Sequence, residues 1–219
     1  MVKIERTFPA PASLAIEAQK QSGSYSEPDV IKQLMSDFHN KCYICEIDDL
    51  QDPEVEHRLP HKNGKCPERK FDWNNLFWAC GHCNSVKNQR KYDDGIIDCC
   101  KKDPESLICF RVKNQEVRVE AKEPDDEESV RTANLVWEVF HLANTGMRTY
   151  TSDMRWKGLQ AEMNVLYDNL EKIRKKPGSV VTLRKLKALL RRESRFAAFK
   201  RCYVREHLQE FPELEAYIA

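Results

Sequence analysis

Apolar residues first take a regular spacing at Val30, Ile31, Leu34, Met35 and Phe38, positions i, i+1, i+4, i+5 and i+8. That spacing predicts a helix from the Ser26-Glu27-Pro28-Asp29 start to about His39. Ser26 is placed to cap it and Pro28 suits its first turn, with acidic residues at the positive end of the dipole. Ahead of it, Met1 to Ser13, with Pro9 and Pro11, reads as an irregular arm, and Gly23-Ser24-Tyr25-Ser26 as a short loop. The periodicity disappears from Lys41 to about Tyr92, where short apolar pieces alternate with Cys, His, Asn, Gly and Pro. Alternation returns over Leu107 to Val112 and Glu116 to Ala121, separated by Lys113-Asn114-Gln115, and predicts a hairpin. Helices follow over about 127 to 145 and 151 to 175, broken near Thr145-Gly146, and a basic helical segment over about 181 to 208 after Pro177-Gly178. Trp137, Phe140, Leu142, Trp156, Leu159, Met163, Leu166 and Leu170 are read as the core of that lobe.

The pattern predicts an α+β, mainly helical chain in four parts: 1–39 arm and helix, 40–92 a compact module, 93–126 hairpin and connector, and 127–219 a helical lobe. Its 219 residues suit one domain or two small ones. With 32% charged residues, 41% hydrophobic residues and a mean hydropathy of −0.69, a transmembrane protein is excluded. No apolar run approaches the ~18 residues a span needs, and Met1 to Ala10 lacks the apolar stretch of a secretory signal, so a cytoplasmic protein without membrane contact is expected. Nine cysteines are an odd number, which a fully paired disulfide framework cannot absorb. In a reducing compartment, metal ligation or free thiols is the better reading. The net charge of +1 conceals a split, because residues 129–219 carry 17 Lys and Arg against 10 Asp and Glu. A basic C-terminal part fits a polyanionic partner, an attraction between lobes, or docking on another protein.

Cys42-Tyr43-Ile44-Cys45 and Cys80-Gly81-His82-Cys83 are two C-x2-C knuckles, the spacing at which a tight turn aims two thiolates at one ion. Together they predict a structural Zn2+ on Cys42, Cys45, Cys80 and Cys83, closed to chemistry because no coordination position is open. The 34 residues between the knuckles exceed the interval of a minimal zinc ribbon, so a second functional element is expected inside the loop. There Glu56-His57 lies, followed by Asn74-Asn75-Leu76 just before the second knuckle, with Asn84 right after its last cysteine and Lys87 three residues on.

That order and spacing resembles the HNH endonuclease family over about residues 40 to 92, in the variant whose ββα-metal finger is bracketed by cysteine pairs. More narrowly, Val2-Lys3-Ile4-Glu5-Arg6, Phe71-Asp72-Trp73-Asn74-Asn75-Leu76 and Ser194-Arg195-Phe196-Ala197-Ala198-Phe199-Lys200-Arg201 resemble the HNH component of Septu-type and retron-associated anti-phage defence systems. The resemblance implies a ββα finger closed by the zinc, followed by the hairpin and the helical lobe, and hydrolysis of DNA. Phosphodiester hydrolysis needs a base for water and a cation for the charge of the transition state. His57 is the expected base. Glu56 and Asn84 offer oxygen donors that suit Mg2+ or Mn2+. Asn75 is implied to tether the loop that aims the histidine, with Asn74 as the fallback. Many family members have Asp at the Glu56 position and His at the Asn84 position, which bears on the choice of metal. The narrower resemblance implies an SMC-like, ABC-type ATPase subunit as partner and, in a retron setting, a reverse transcriptase with its RNA.

Lys87 is expected either to reach substrate from the finger's helix or simply to be solvated. His61 reads as a surface-loop histidine and His82 as part of a knuckle, while Cys66, Cys99, Cys100, Cys109 and Cys202 read as free thiols. Arg184, Lys185, Arg191 and Arg192 head a run of basic residues that is read as a solvated face, a nucleic-acid surface or a dock for an acidic partner. A non-catalytic zinc-ribbon binding module and a partner-recruiting scaffold are the rival readings of the whole chain.

Overall fold

The computed structural model describes residues 1–62, 65–141 and 146–218, with the side chains of 146–148 left aside, so Leu142 and Thr145 of the expected break lie outside the described residues. About 51% of the chain is helical, with two small antiparallel sheets. In chain order the elements are α1 (Ala12–Glu17), α2 (Pro28–Asp37), β1 (Pro53–His57), β2 (Leu76–Cys80), α3 (Gly81–Lys87), α4 (Pro104–Leu107), β3 (Ile108–Lys113), β4 (Glu116–Ala121), α5 (Glu127–His141), α6 (Gly146–Lys175), α7 (Val180–Leu189), α8 (Ala197–Glu206) and α9 (Glu215–Ile218).

α2 forms where the spacing predicts it, with Pro28 in its first turn, but Glu27 is the N-cap and Ser26 makes no capping bond. Val30, Leu34 and Phe38 are fully buried while Ile31 and Met35 remain exposed, so the buried stripe is narrower than the run of apolar residues. α2 covers β2, whose five residues are all buried, and Phe38 meets Phe77 edge to face at 5.5 Å. β1 runs antiparallel to β2 with Glu56 opposite Phe77 and His57 opposite Leu76. α3 leaves directly from Cys80, whose sulfur accepts from the Cys83 amide at 3.5 Å, giving a β-β-α finger. Gly81 opens that helix, with the Asp52 and Glu54 carboxylates beside its Cα.

The amino-terminal arm is a structural clamp. Met1, Val2 and Ile4 are buried, and the Ile4 amide donates to the Cys99 carbonyl at 2.9 Å. Arg6 donates to the carbonyls of Trp73 at 2.7 Å and Leu76 at 2.8 Å, and its guanidinium lies 4.7 Å from the centre of the Trp73 ring. The Met1 ammonium sits 3.3 Å from Glu46. Burial alone would raise the Glu46 pKa, but the Met1 ammonium and Lys41 outweigh it and hold the carboxyl low.

β3 and β4 form the predicted hairpin, turned by Asn114 and Gln115 at φ 52° and 61°, the left-handed pair that a two-residue turn requires. In the helical lobe Val136, Val139, Leu159, Leu166 and Phe199 are buried, and Phe110 and Phe140 meet Phe199 at 5.6 and 5.7 Å. Trp137, expected in this core, is instead 45% exposed and stacked on His141 at 4.3 Å. The basic segment is two helices, α7 and α8, separated by a turn in which buried Phe196 takes φ 51°. Lys200 and Arg201 point inward, to Glu162 and Glu105 at 2.8 Å each.

Candidate active site and metal centre

The four cysteines of the two knuckles converge from the turn before β1 and from the β2–α3 junction, their sulfur atoms all within 4.8 Å of one another and all four residues buried. Cys45 and Cys80 sulfurs are 4.0 Å apart, too far for a disulfide and near the ~3.8 Å edge of a tetrahedron with Zn–S bonds of about 2.3 Å. Burial pushes the Cys42 and Cys83 thiols well above the ordinary thiol range. Hydrogen bonds from Cys42, Cys45 and Cys83, with the charge of Arg155, hold Cys80 far below it. Four sulfurs at this spacing suit a thiophilic cation, which would let every one of them ionise.

Glu54 and Glu56 fall on one face of β1 by alternation, and Val55 and His57 on the other. Beside the strand opens a cleft of about 440 Å3 whose walls include Tyr25, Glu56, His57, His61, Asn84 and Lys87. The His57 Nε2 lies 3.0 Å from the Lys70 carbonyl. A carbonyl only accepts, so in the neutral ring Nε2 carries the proton and Nδ1 the lone pair. Burial lowers the His57 pKa, and the neighbouring His61 and Lys87 add to that, against the carbonyl bond. The ring is braced edge-on by Tyr25 at 4.5 Å and by His61 at 4.7 Å.

Asn75, the expected tether, is buried. Its side-chain oxygen accepts from the Leu59 amide at 2.8 Å, and its nitrogen donates to the carbonyls of Leu59 at 2.8 Å and Arg69 at 3.0 Å. Asn74, the fallback, is exposed and bonds to Asp72. Asn75→Ala leaves those backbone groups unsatisfied in a buried place, each costing about 1–3 kcal/mol. The expected outcome is a loss on the order of 3 kcal/mol, read as a lower urea midpoint; an unchanged midpoint would contradict the tether.

Two expected residues are held differently from the sequence reading. Lys87 is 6% exposed and does not project from α3; its ammonium lies 2.6 Å from Glu56 Oε1 and donates to the His57 carbonyl at 3.0 Å. Glu56 is 3% exposed, and its other oxygen accepts from Tyr43 at 2.5 Å. Burial and the Glu56 charge keep that phenol protonated. Asn84 does line the cleft, donating its amide nitrogen to Glu54 and leaving its oxygen free to accept. Arg184, Lys185 and Arg191 are exposed, and none has an ion-pair partner among the described residues. Arg192 departs from that group, because it is bound to Asp103 at 2.9 Å and Glu105 at 3.6 Å.

His61 is a wall of the cleft, not a free loop residue, and its Nδ1 is buried without a hydrogen-bond partner. His82 joins its knuckle to the helices, with Nε2 3.0 Å from the Val139 carbonyl and Nδ1 2.9 Å from the Thr151 hydroxyl. Cys66, Cys99, Cys100, Cys109 and Cys202 are all free thiols, of which Cys99 and Cys202 are buried. Tyr25, Tyr43 and Glu54 were not among the expected site residues. Glu54 was open to detection, since it lies two residues before Glu56 on the same strand face, whereas the Lys70 carbonyl carries no side-chain signal at all. No protein-family model matches the chain, and no curated protein matches it. No helix among the described residues is long and apolar enough to cross a membrane.

Proposed function

We propose that the chain is a metal-dependent HNH-type endonuclease that hydrolyses DNA phosphodiester bonds, with a structural zinc on Cys42, Cys45, Cys80 and Cys83. The observation that carries this reading is the presentation of His57: a β-β-α finger holds it in an open cleft, with one ring nitrogen engaged by a backbone carbonyl and the other bearing the lone pair. In that state the ring takes a proton from water, and burial keeps it neutral and ready to do so. Asn75 fixes the loop that supplies the Lys70 carbonyl, so tautomer and aim are set together. A divalent Mg2+ or Mn2+ supplies neutralisation of the charge that builds on the phosphate. Asn84, through its free oxygen, and Glu56 are the residues to hold it. A role as effector of an anti-phage complex, with an ATPase subunit, follows from the resemblance alone.

One observation favours a non-catalytic zinc-ribbon module: Lys87 already occupies the cation position on Glu56. Lys87→Met separates the two readings. It leaves a buried carboxylate without its cation, which costs about 3–5 kcal/mol. On the nuclease reading, the melting temperature falls in chelator-free buffer without Mg2+ and recovers in millimolar Mg2+; an equal fall in both buffers means that Glu56 does not accept a divalent ion. The direct test of activity is incubation of purified protein with plasmid, linear and single-stranded DNA in Mg2+, Mn2+ or EDTA, alone and with a partner ATPase. Cleavage that requires the ion supports the nuclease, and none in any mixture favours the binding module.

The free cations of α7 and the turn after it are the proposed DNA contacts outside the cleft. Replacing Arg184, Lys185 and Arg191 by Glu is expected to weaken DNA binding and to reduce the slope of log K against log salt by roughly 3, about 0.9 for each lost phosphate contact. Fluorescence anisotropy across a salt series reads that slope, and no change in it places the DNA elsewhere.

A further inference from the structure

Arg155 belongs to α6, far from the knuckles in sequence, yet its Nη2 lies 2.9 Å from the Cys80 sulfur. The residue is 7% exposed. Its Nη1 donates to the Thr151 carbonyl at 2.9 Å within the same helix, its Nε has no hydrogen-bond partner, and no carboxylate pairs with it among the described residues. A guanidinium buried without a counter-charge costs several kcal/mol. Among the described residues, the sulfur cluster is the one anionic group it touches. Four thiolates around one Zn2+ carry a net charge of about −2, which is itself expensive to bury and is eased by N–H donors on the sulfurs. His82, in the same knuckle, bonds to the Val139 carbonyl of α5 and the Thr151 hydroxyl of α6, so two contacts join the knuckle to the helical lobe on one side.

We propose that Arg155 is a positioning residue of the zinc centre, donating to the Cys80 sulfur so that it is aimed at the metal, and latching α6 of the helical lobe onto the finger. The proposal rests on the four-cysteine zinc reading. Its consequence is that metal retention depends on a residue of the helical lobe 72 positions beyond the last ligand, Cys83. A planar guanidinium suits this place because it donates along fixed directions while carrying the charge, which an ammonium does less well.

The test uses the full chain as native protein, Arg155→Met, Arg155→Lys and, as control, Lys200→Met, which removes a buried cation that pairs with Glu162 of α6 and bonds to no cysteine sulfur among the described residues. Zinc content, release of zinc to a chromogenic chelator, and the thiolate-to-metal charge-transfer band after Co2+ substitution are measured. Native protein is expected to hold about one zinc per chain. Arg155→Met is expected to release it on the order of tenfold faster, with Arg155→Lys in between. Without the N–H donor the sulfur lone pair is less stabilised, so the cobalt band moves to longer wavelength. Lys200→Met leaves release and band unchanged. Release and band within twofold and within error of native in Arg155→Met, or the same changes in Lys200→Met, overturn the proposal while the zinc stands. A native chain without zinc overturns the zinc reading and the proposal with it. Should Arg155→Met fail to fold, Arg155→Lys decides: its band moves less far in the same direction, and an unmoved band overturns the role.

Discussion

His57→Ala is expected to lower DNA cleavage by roughly 10²–10⁴-fold, the range that a positioned general base supplies. The ring is the element of the cleft for which the structure leaves one chemical role open. Its Nε2 is engaged by the Lys70 carbonyl, its pKa is lowered by burial, and Tyr25 and His61 both pack against it. None of these contacts reaches the sulfur cluster, so the variant should retain its zinc, its helical content and its affinity for DNA in EDTA. That combination, an unchanged fold with a lost reaction, distinguishes a base from a structural histidine. The measurement is initial cleavage rate at matched zinc content, native against variant, at saturating Mg2+ or Mn2+. A variant that cuts within a few-fold of native removes His57 from the chemistry. The cleft's second imidazole, His61, would then be the residue to examine, since its buried Nδ1 lacks a partner.

Much of the candidate site was legible because its residues are set by local spacing. Two C-x2-C pairs, a Glu-His pair between them and asparagines at set distances are short-range signals, and the chain brings those residues to one finger. The hairpin was legible for a similar reason, since alternation over β3 and β4 survives with one face buried. β2 was not, because all five of its residues are buried and a strand covered on both faces has no alternation to read. The amino-terminal arm was equally opaque. Its worth lies in backbone bonds and in one guanidinium over Trp73, partners some 67 residues away.

Charges were the least legible feature, since a basic residue in a sequence does not say whether an acid waits for it inside the fold. Lys87, three residues after Asn84 on a helix, reads either as a substrate contact or as a solvated side chain, but Glu56 on β1 claims it. Lys200 and Arg201 belong to the same basic run as Arg184, yet Glu162 and Glu105, 38 and 96 residues away, draw them inward. The run is also not one helix, because Phe196 is buried at φ 51° and breaks it. What remains for a polyanion is a smaller surface than the composition suggests, centred on Arg184, Lys185 and Arg191. The long-range ion pair is the recurring reason that the sequence overstated the exposed charge of this lobe.

On the four-cysteine zinc reading, removing the metal is expected to have the largest effect on stability. In metal-free buffer the finger consists of a five-residue, two-stranded pair and a seven-residue helix, neither of which is stable alone in water. The four buried thiols would have to remain protonated or repel one another around the Arg155 guanidinium. A structural Zn2+ on four cysteines contributes apparent free energies of about 10–16 kcal/mol at neutral pH, comparable with or larger than the ~5–15 kcal/mol that holds a whole domain. Cys83→Ser, which removes one fully buried ligand, is therefore expected to lose zinc during purification and to melt well below the native chain. The loss should not stay within the finger, because β2 packs on α2 through Phe77 and His82 ties the second knuckle to α5 and α6. Hydrogen exchange of the native chain before and after a strong chelator follows this segment by segment. Protection should fall first over residues 42–45 and 76–87, then in α2 and the middle of α6, while the β3–β4 hairpin keeps more of its protection through α5 and α8. A chain that keeps its melting temperature and its exchange pattern after complete zinc removal would show that the cysteines pack as ordinary thiols, and the finger would then need another source of stability.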